Sequence, residues 1–120
     1  MKIDELKKIL NAEVLTKGID DNHEIENFCC TELMSDVLAF TNDGESTALI
    51  TALSNAQTLR TADMVDIRVV VIVRGKQVEE KLIEIAEESG ITLLRTKYPI
   101  FTVAGKLYQH INMESASEHK

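Results

Sequence analysis

A chain of 120 residues, 44% apolar and 28% charged, has the size and make-up of one globular domain, which excludes a disordered, fibrous or disulfide-scaffold protein. Its formal net charge of -7 repels phosphate backbones and anionic lipid, so neither nucleic acid nor a membrane surface is an expected partner. No apolar run approaches bilayer length and no basic-then-apolar leader opens the chain, so a cytoplasmic setting is expected.

Ile3, Leu6, Ile9 and Leu10 recur at helical spacing, with Asp4 and Glu5 in the first turn where the helix dipole favours anions, and predict a short amphipathic helix. Glu13 to Thr16 reads as a brief strand stopped by Lys17-Gly18. The polar loop Asp20, Asp21, Asn22, His23 and Glu24 lacks the spacing and glycine of an EF-hand and predicts no metal site. Ile25 to Cys30 reads as a second strand. Its adjacent Cys29 and Cys30 cannot bridge without straining the peptide between them, no ligand stands at zinc spacing, and both are expected as buried thiols. From Glu32 to Phe40 the apolar residues Leu33, Met34, Val37, Leu38 and Phe40 mostly suit one helical face, and Thr41-Asn42-Asp43-Gly44 supplies the turn that ends it.

Thr47 to Leu53 is a nearly continuous apolar run, the pattern of a strand covered on both faces. Ser54-Asn55-Ala56-Gln57 has the S-x-x-Q form of a capping box and opens a helix to about Met64. Arg68 to Val73 is the most β-branched run and predicts a central strand. Arg74-Gly75-Lys76 turns the chain into a helix with Val78, Leu82, Ile85 and Ala86 inward, Glu79, Glu80, Glu84, Glu87 and Glu88 making it acidic, and Ser89-Gly90 as its stop. Ile91 to Leu94 is the next strand. Tyr98-Pro99 opens a last helix carried by Ile100, Val103, Ala104, Leu107, Tyr108 and Ile111. The domain is expected to end near residue 112, with Met113 to Lys120 frayed. Strand and helix alternating from Thr47 onward predict a single α/β domain of right-handed βαβ units, a mainly parallel sheet flanked by helices.

Ligands of such sheets collect at the carboxyl ends of the strands. Three loops stand there. Ser54, Asn55 and Gln57 offer a helix N-terminus to an anion or simply satisfy their own cap; Arg74, Gly75 and Lys76 offer two cations and a glycine, or a solvated turn. Thr96 and Lys97 follow Arg95 in the third loop, beside Tyr98, which would stack on a flat ligand or pack. Convergence of the three would make a modest basic pocket for a small anionic ligand. Neither G-x-x-x-x-G-K-[ST] nor G-x-G-x-x-G occurs. His23, His110 and His119 have no nucleophile placed within reach by spacing, a thiol and base pair of Cys29 or Cys30 with His23 being the sole one imaginable. No catalytic residue, cofactor or metal is therefore assigned.

Three stretches together resemble a stand-alone DRTGG domain: Glu32 to Phe40, then Leu49-Ile50-Thr51-Ala52-Leu53-Ser54-Asn55-Ala56-Gln57-Thr58-Leu59-Arg60-Thr61-Ala62, then Val69-Val70-Val71-Ile72-Val73 ending in Arg74-Gly75. The resemblance runs from about Lys2 to Ile111. It implies a non-catalytic regulatory or interaction module, homodimeric, of a kind found beside CBS pairs in some pyrophosphatases and near the N-terminus of some phosphotransacetylases. The name motif is altered: Ser54-Asn55, or Asn55-Ala56, stands where Asp-Arg is expected, and Val73-Arg74-Gly75 where Thr-Gly-Gly is expected. Rival readings are a small enzyme acting on a phosphorylated or acyl metabolite, and a partner-binding subunit of a larger complex. Two apolar groups are candidates for a dimer face, Met34, Val37, Leu38 and Phe40, and the last helix with Phe101 beside its stripe.

Overall fold

The computed structural model describes residues 1–118, with side chains described to residue 112. The elements are α1 (Ile3–Leu10), β1 (Glu13–Val14), β2 (Asn27–Cys30), α2 (Met34–Phe40), a 3₁₀ turn (Gly44–Ser46), β3 (Thr47–Thr51), α3 (Ala56–Met64), β4 (Val69–Ile72), α4 (Glu80–Glu88), β5 (Thr92–Arg95) and α5 (Ile100–Glu118). The tail expected to fray, Met113 to Lys120, falls outside the residues whose side chains are described.

The strands form one five-stranded sheet in the order β1-β5-β4-β3-β2. β2, β3, β4 and β5 are parallel, with Ala48 opposite Val69 and Val69 opposite Thr92, while β1 runs antiparallel along β5. The single α/β domain with its mainly parallel sheet is thus as the strand and helix alternation predicts. Because βαβ crossovers are right-handed, a path that always steps the same way lays its connecting helices on one face. Val37 of α2, Leu59 and Ala62 of α3, and Leu82 and Ala86 of α4 accordingly share a core with Leu49, Val70, Ile72 and Leu93. The opposite face of the same strands, Ala48, Ile50, Val69, Val71 and Leu94, packs on Ile3, Leu6 and Leu10 of α1 and on Val103 and Leu107 of α5. Side chains alternate across a strand, so the unbroken apolar run of β4 serves both cores.

The structure corrects several local expectations. β1 is two residues long rather than four, because the hydroxyl of Thr16 accepts the amide of Leu93 at 3.1 Å in place of a strand carbonyl. Ser54 is not the cap of α3. Asn55 is, its Oδ1 accepting the amide of Thr58 at 3.0 Å and the Thr58 hydroxyl at 3.1 Å. Gln57 is displaced from a capping box by that shift and pairs instead with Thr61 and Arg60 along the helix. α2 begins at Met34, and of its apolar residues Val37 is fully buried while Leu38 and Phe40, with Leu33 at its N-cap, stay exposed. A seven-residue helix at the sheet margin has too narrow a contact to bury them all. The cysteines are not buried either: Cys29 is half-buried and Cys30 exposed.

Two backbone positions carry direct consequences. Gly44 is buried where the chain enters β3, and a Cβ there would overlap the carbonyl of Val65 in the turn leading to β4. Arg74 and Gly75 both adopt left-handed backbone, with φ of 67° and 62°. Gly44→Ala is expected to cost roughly 3 kcal/mol, the upper end of the overpacking range, read as a lower urea midpoint at unchanged slope. Arg74→Gly removes a Cβ from a conformation costly to other L-residues and is expected to stabilise by about 0.5–1 kcal/mol net of glycine's own entropy, read as a higher Tm.

Candidate functional site

The carboxyl ends of β3, β4 and β5 lie side by side on one rim of the sheet. After β4 the chain crosses to α4 on one face, and after β5 it crosses to α5 on the other. Adjacent strands whose connections part in this way leave a crevice between them, the position where open α/β sheets take ligands. Here the crevice is a cleft of about 610 Å³, lined on one side by the α1–β1 turn.

Of the eight residues expected at the rim, Gly75, Thr96 and Lys97 line this cleft. They are joined by Asn11, Glu13, Gln77 and Arg95. The two loops are tied by backbone bonds, the amide of Arg74 donating to Tyr98 O at 2.8 Å and that of Gly75 to Thr96 O at 2.8 Å. Left-handed backbone at two successive residues turns these amides back onto the β5 loop, which explains why a glycine stands at 75. Thr96 is 2% exposed and forms the floor. Its hydroxyl donates to Leu10 O at 2.7 Å and accepts the amide of Tyr98 at 3.3 Å, so it joins α1 to β5 rather than reaching outward. Lys97 is exposed at the mouth, and Arg74 and Lys76 belong to the same turn without lining the cleft.

Charge in the cleft is partly self-compensated. Arg95 and Glu13 are directly opposite in the antiparallel pair, and Arg95 Nε donates to Glu13 Oε1 at 2.7 Å while its Nη2 holds the same oxygen. An incoming anion would meet Lys97 first and would compete with Glu13 for the Arg95 guanidinium, which offers a fork suited to phosphate or carboxylate. Tyr98 packs on the core, with Lys106 Nζ 5.1 Å over its ring.

The third loop does not join the other two. Ser54 and Asn55 line a separate hollow of about 310 Å³ with Glu79, Lys81 and Leu82 of the α4 entry. Beside them a residue that the sequence pattern did not single out occupies the end of β3: the carboxylate of Glu32 accepts the amide of Ala52 at 3.1 Å and the hydroxyl of Thr51 at 3.1 Å. His23 faces a hollow of about 190 Å³ at the opposite rim, with Lys17, Arg68 and Glu87, whereas Cys29 and Cys30 sit on β2. Burial and the Asp36 carboxylate push the Cys29 thiol up. The protein around Cys30, followed by the Cys29 thiol, pushes Cys30 up to about 11 although part of that residue remains in solvent. Thiols raised in this way are poor nucleophiles at neutral pH. Among the described residues no group of three or more His, Cys, Asp or Glu is placed to hold a metal ion, and no helix is long and apolar enough to cross a membrane.

Asn11 and Glu13 escaped the sequence reading because they reach the cleft from the far end of the chain, Glu13 meeting Arg95 across 82 residues through a strand pair too short to announce itself. A weak signal did exist. Asn11 ends α1 in left-handed backbone at φ 48°, a role asparagine favours and one that turns the chain into the cleft wall.

Comparison with known proteins bears on the fold and the family. The solved structure of the CBS and DRTGG domains of the regulatory region of Clostridium perfringens pyrophosphatase, complexed with the activator diadenosine tetraphosphate, superposes with a TM-score of 0.65 at 15% identity. The match covers 86% of this chain and 44% of that one, so the chain spans less than half of that structure's length. No curated protein matches. The DRTGG domain family matches over residues 5–110, nearly the whole of the chain, and the protein belongs to that family.

Proposed function

We propose that the chain is a non-catalytic regulatory module of the cytoplasm that pairs with a second copy of itself and takes a small anionic, nucleotide-like ligand in the β4–β5 cleft. The observation that carries this reading is the cleft itself, placed at the crossover point of a DRTGG fold, with Lys97 at its mouth and the Arg95 guanidinium in its wall. The similar region of the clostridial pyrophosphatase is complexed with a nucleotide activator, which supports the ligand class. Binding there calls for no nucleophile: the groups at hand are cations, amides and the carboxamides of Asn11 and Gln77, all suited to recognition.

Support for self-association comes from α5. Phe101 is 87% and Tyr108 68% exposed, seven residues and thus two turns apart on one side, with Gly105 between them and nothing within 4 Å of its Cβ position. Gln109 and Asn112 beside the stripe are uncharged, so two copies meet without like-charge repulsion. The aromatic residues lie where a monomer gains nothing from them.

Two measurements test the two halves. A ligand present at 100 times its Kd adds about 2.7 kcal/mol, several degrees in Tm for a domain of this size. A thermal-shift series with ATP, diadenosine tetraphosphate and acetyl-CoA is expected to give such a rise with at least one nucleotide, removed in Lys97→Glu; no rise with any of them, or a rise that survives Lys97→Glu, overturns the cleft. Light scattering at micromolar concentration is expected to show a dimer that Phe101→Glu with Tyr108→Glu converts to a monomer of unchanged circular dichroism. A wild-type monomer across that range overturns the pairing.

A further inference from the structure

The sheet is closed along β5 by the short antiparallel β1, but β2 is its outermost strand on the other side, and among the described residues no strand covers it. An edge strand carries one row of unpaired amides and carbonyls, a template for a further strand. Alongside it runs a groove of about 210 Å³ between Asn27, Phe28 and Cys29 on the strand and Phe40, Asn42 and Asp43 on the turn after α2. Phe40 stands 73% exposed over this groove, and Leu33 and Leu38 of the same region are 57% and 47% exposed. Apolar side chains beside open backbone are the two elements of recognition by strand addition, in which the backbone supplies affinity and alternate side chains supply selectivity.

Charge identifies the occupant. Between Gly18 and Leu59 the chain carries eight carboxylates and not one lysine or arginine, whereas the other twelve of its 20 carboxylates are balanced by all 13 lysines and arginines. The net charge of -7 therefore resides in the segment that builds β2, α2 and their loops. Glu26 is exposed one residue before the strand, and Asp43 and Glu45 are exposed beyond Phe40. A second copy set edge to edge would bring its own Glu26, Asp43 and Glu45 against these, a like-charge juxtaposition that opposes pairing. The Phe101–Tyr108 stripe of α5, by contrast, is flanked by the uncharged Gln109 and Asn112 and carries no carboxylate between residues 101 and 112.

We propose that the β2 edge is a docking site for an extended basic segment of a partner protein, one that alternates lysine or arginine with apolar residues. It adds as a sixth strand on β2, sets its apolar side chains against Cys29 and Phe40 on the α2 face, and places its cations beside Glu26, Asp43 and Glu45. The site is independent of the β4–β5 cleft and of the α5 surface.

Fluorescence anisotropy on the full chain, with a labelled decapeptide of alternating lysine and valine and its glutamate–valine counterpart, tests this assignment. The basic peptide is expected to bind and to lose about tenfold in affinity on passing from low to high salt, as screened charges require. Phe40→Asp and Asp43→Lys, both at exposed side chains, are each expected to weaken it about tenfold, the first by removing the apolar anchor and the second by removing charge. Amide hydrogen exchange is expected to slow at residues 27–30 on binding. Equal affinity for the acidic peptide, undiminished affinity in Phe40→Asp, or protection confined to α5 or to the β4–β5 loops overturns the proposal. Dissociation of a dimer by Phe40→Asp also overturns it, since a second copy would then hold the edge.

Discussion

The four parallel strands are threaded in one direction, β2 to β3 to β4 to β5, and the handedness of each crossover places α2, α3 and α4 together on one face of the sheet. Strands buried on both sides cannot leave the second face open, so that face falls to the two helices outside the crossover series, α1 before it and α5 after it. This assignment fixes where the chain changes sides. Only after β5 does a connection cross to the second face, and the β4–β5 crevice is the consequence. The cleft is thus a product of topology, present before any side chain is chosen for binding.

The side chains then divide the surface into regions of different character. The cleft holds Lys97 and an Arg95 already answered by Glu13, which makes it weakly cationic within an acidic protein. The outer side of α5 is aromatic and neutral, and the β2 margin is apolar and strongly negative.

What could be read from the sequence was whatever depended on local pattern. Val69 to Ile72 declare a central strand because a run of β-branched residues with no polar member has no other stable setting, and the acidic α4 with its Ser89-Gly90 stop is equally self-contained. The family likewise followed from the spread of apolar and polar positions over the chain. Reading failed where a side chain answered to something distant or to a near tie. Asn55 outcompeted its neighbour Ser54 for the cap of α3, which displaced Gln57. Thr16 cut β1 short by substituting its hydroxyl for a carbonyl. Convergence of the three rim loops was half legible: sheet order brought the β4 and β5 loops together, but Ser54 and Asn55 lean toward the entry of α4. Leu38 and Phe40 look like core in a helical pattern, and only the position of α2 at the sheet margin shows that they are not. The altered name motif also becomes intelligible, since positions 74 and 75 both need the left-handed backbone that a glycine pair supplies, and this chain keeps arginine at the first.

The hydroxyl of Thr96 joins the carbonyl of Leu10, 86 residues earlier, at the base of the cleft. That wall belongs to the α1–β1 turn and the floor to the loop after β5, so the recess forms only where these two distant stretches of the chain are packed together. Occupancy would accordingly report on the packing of α1 against β5, and the protected amides beneath it would exchange only through openings that separate the two.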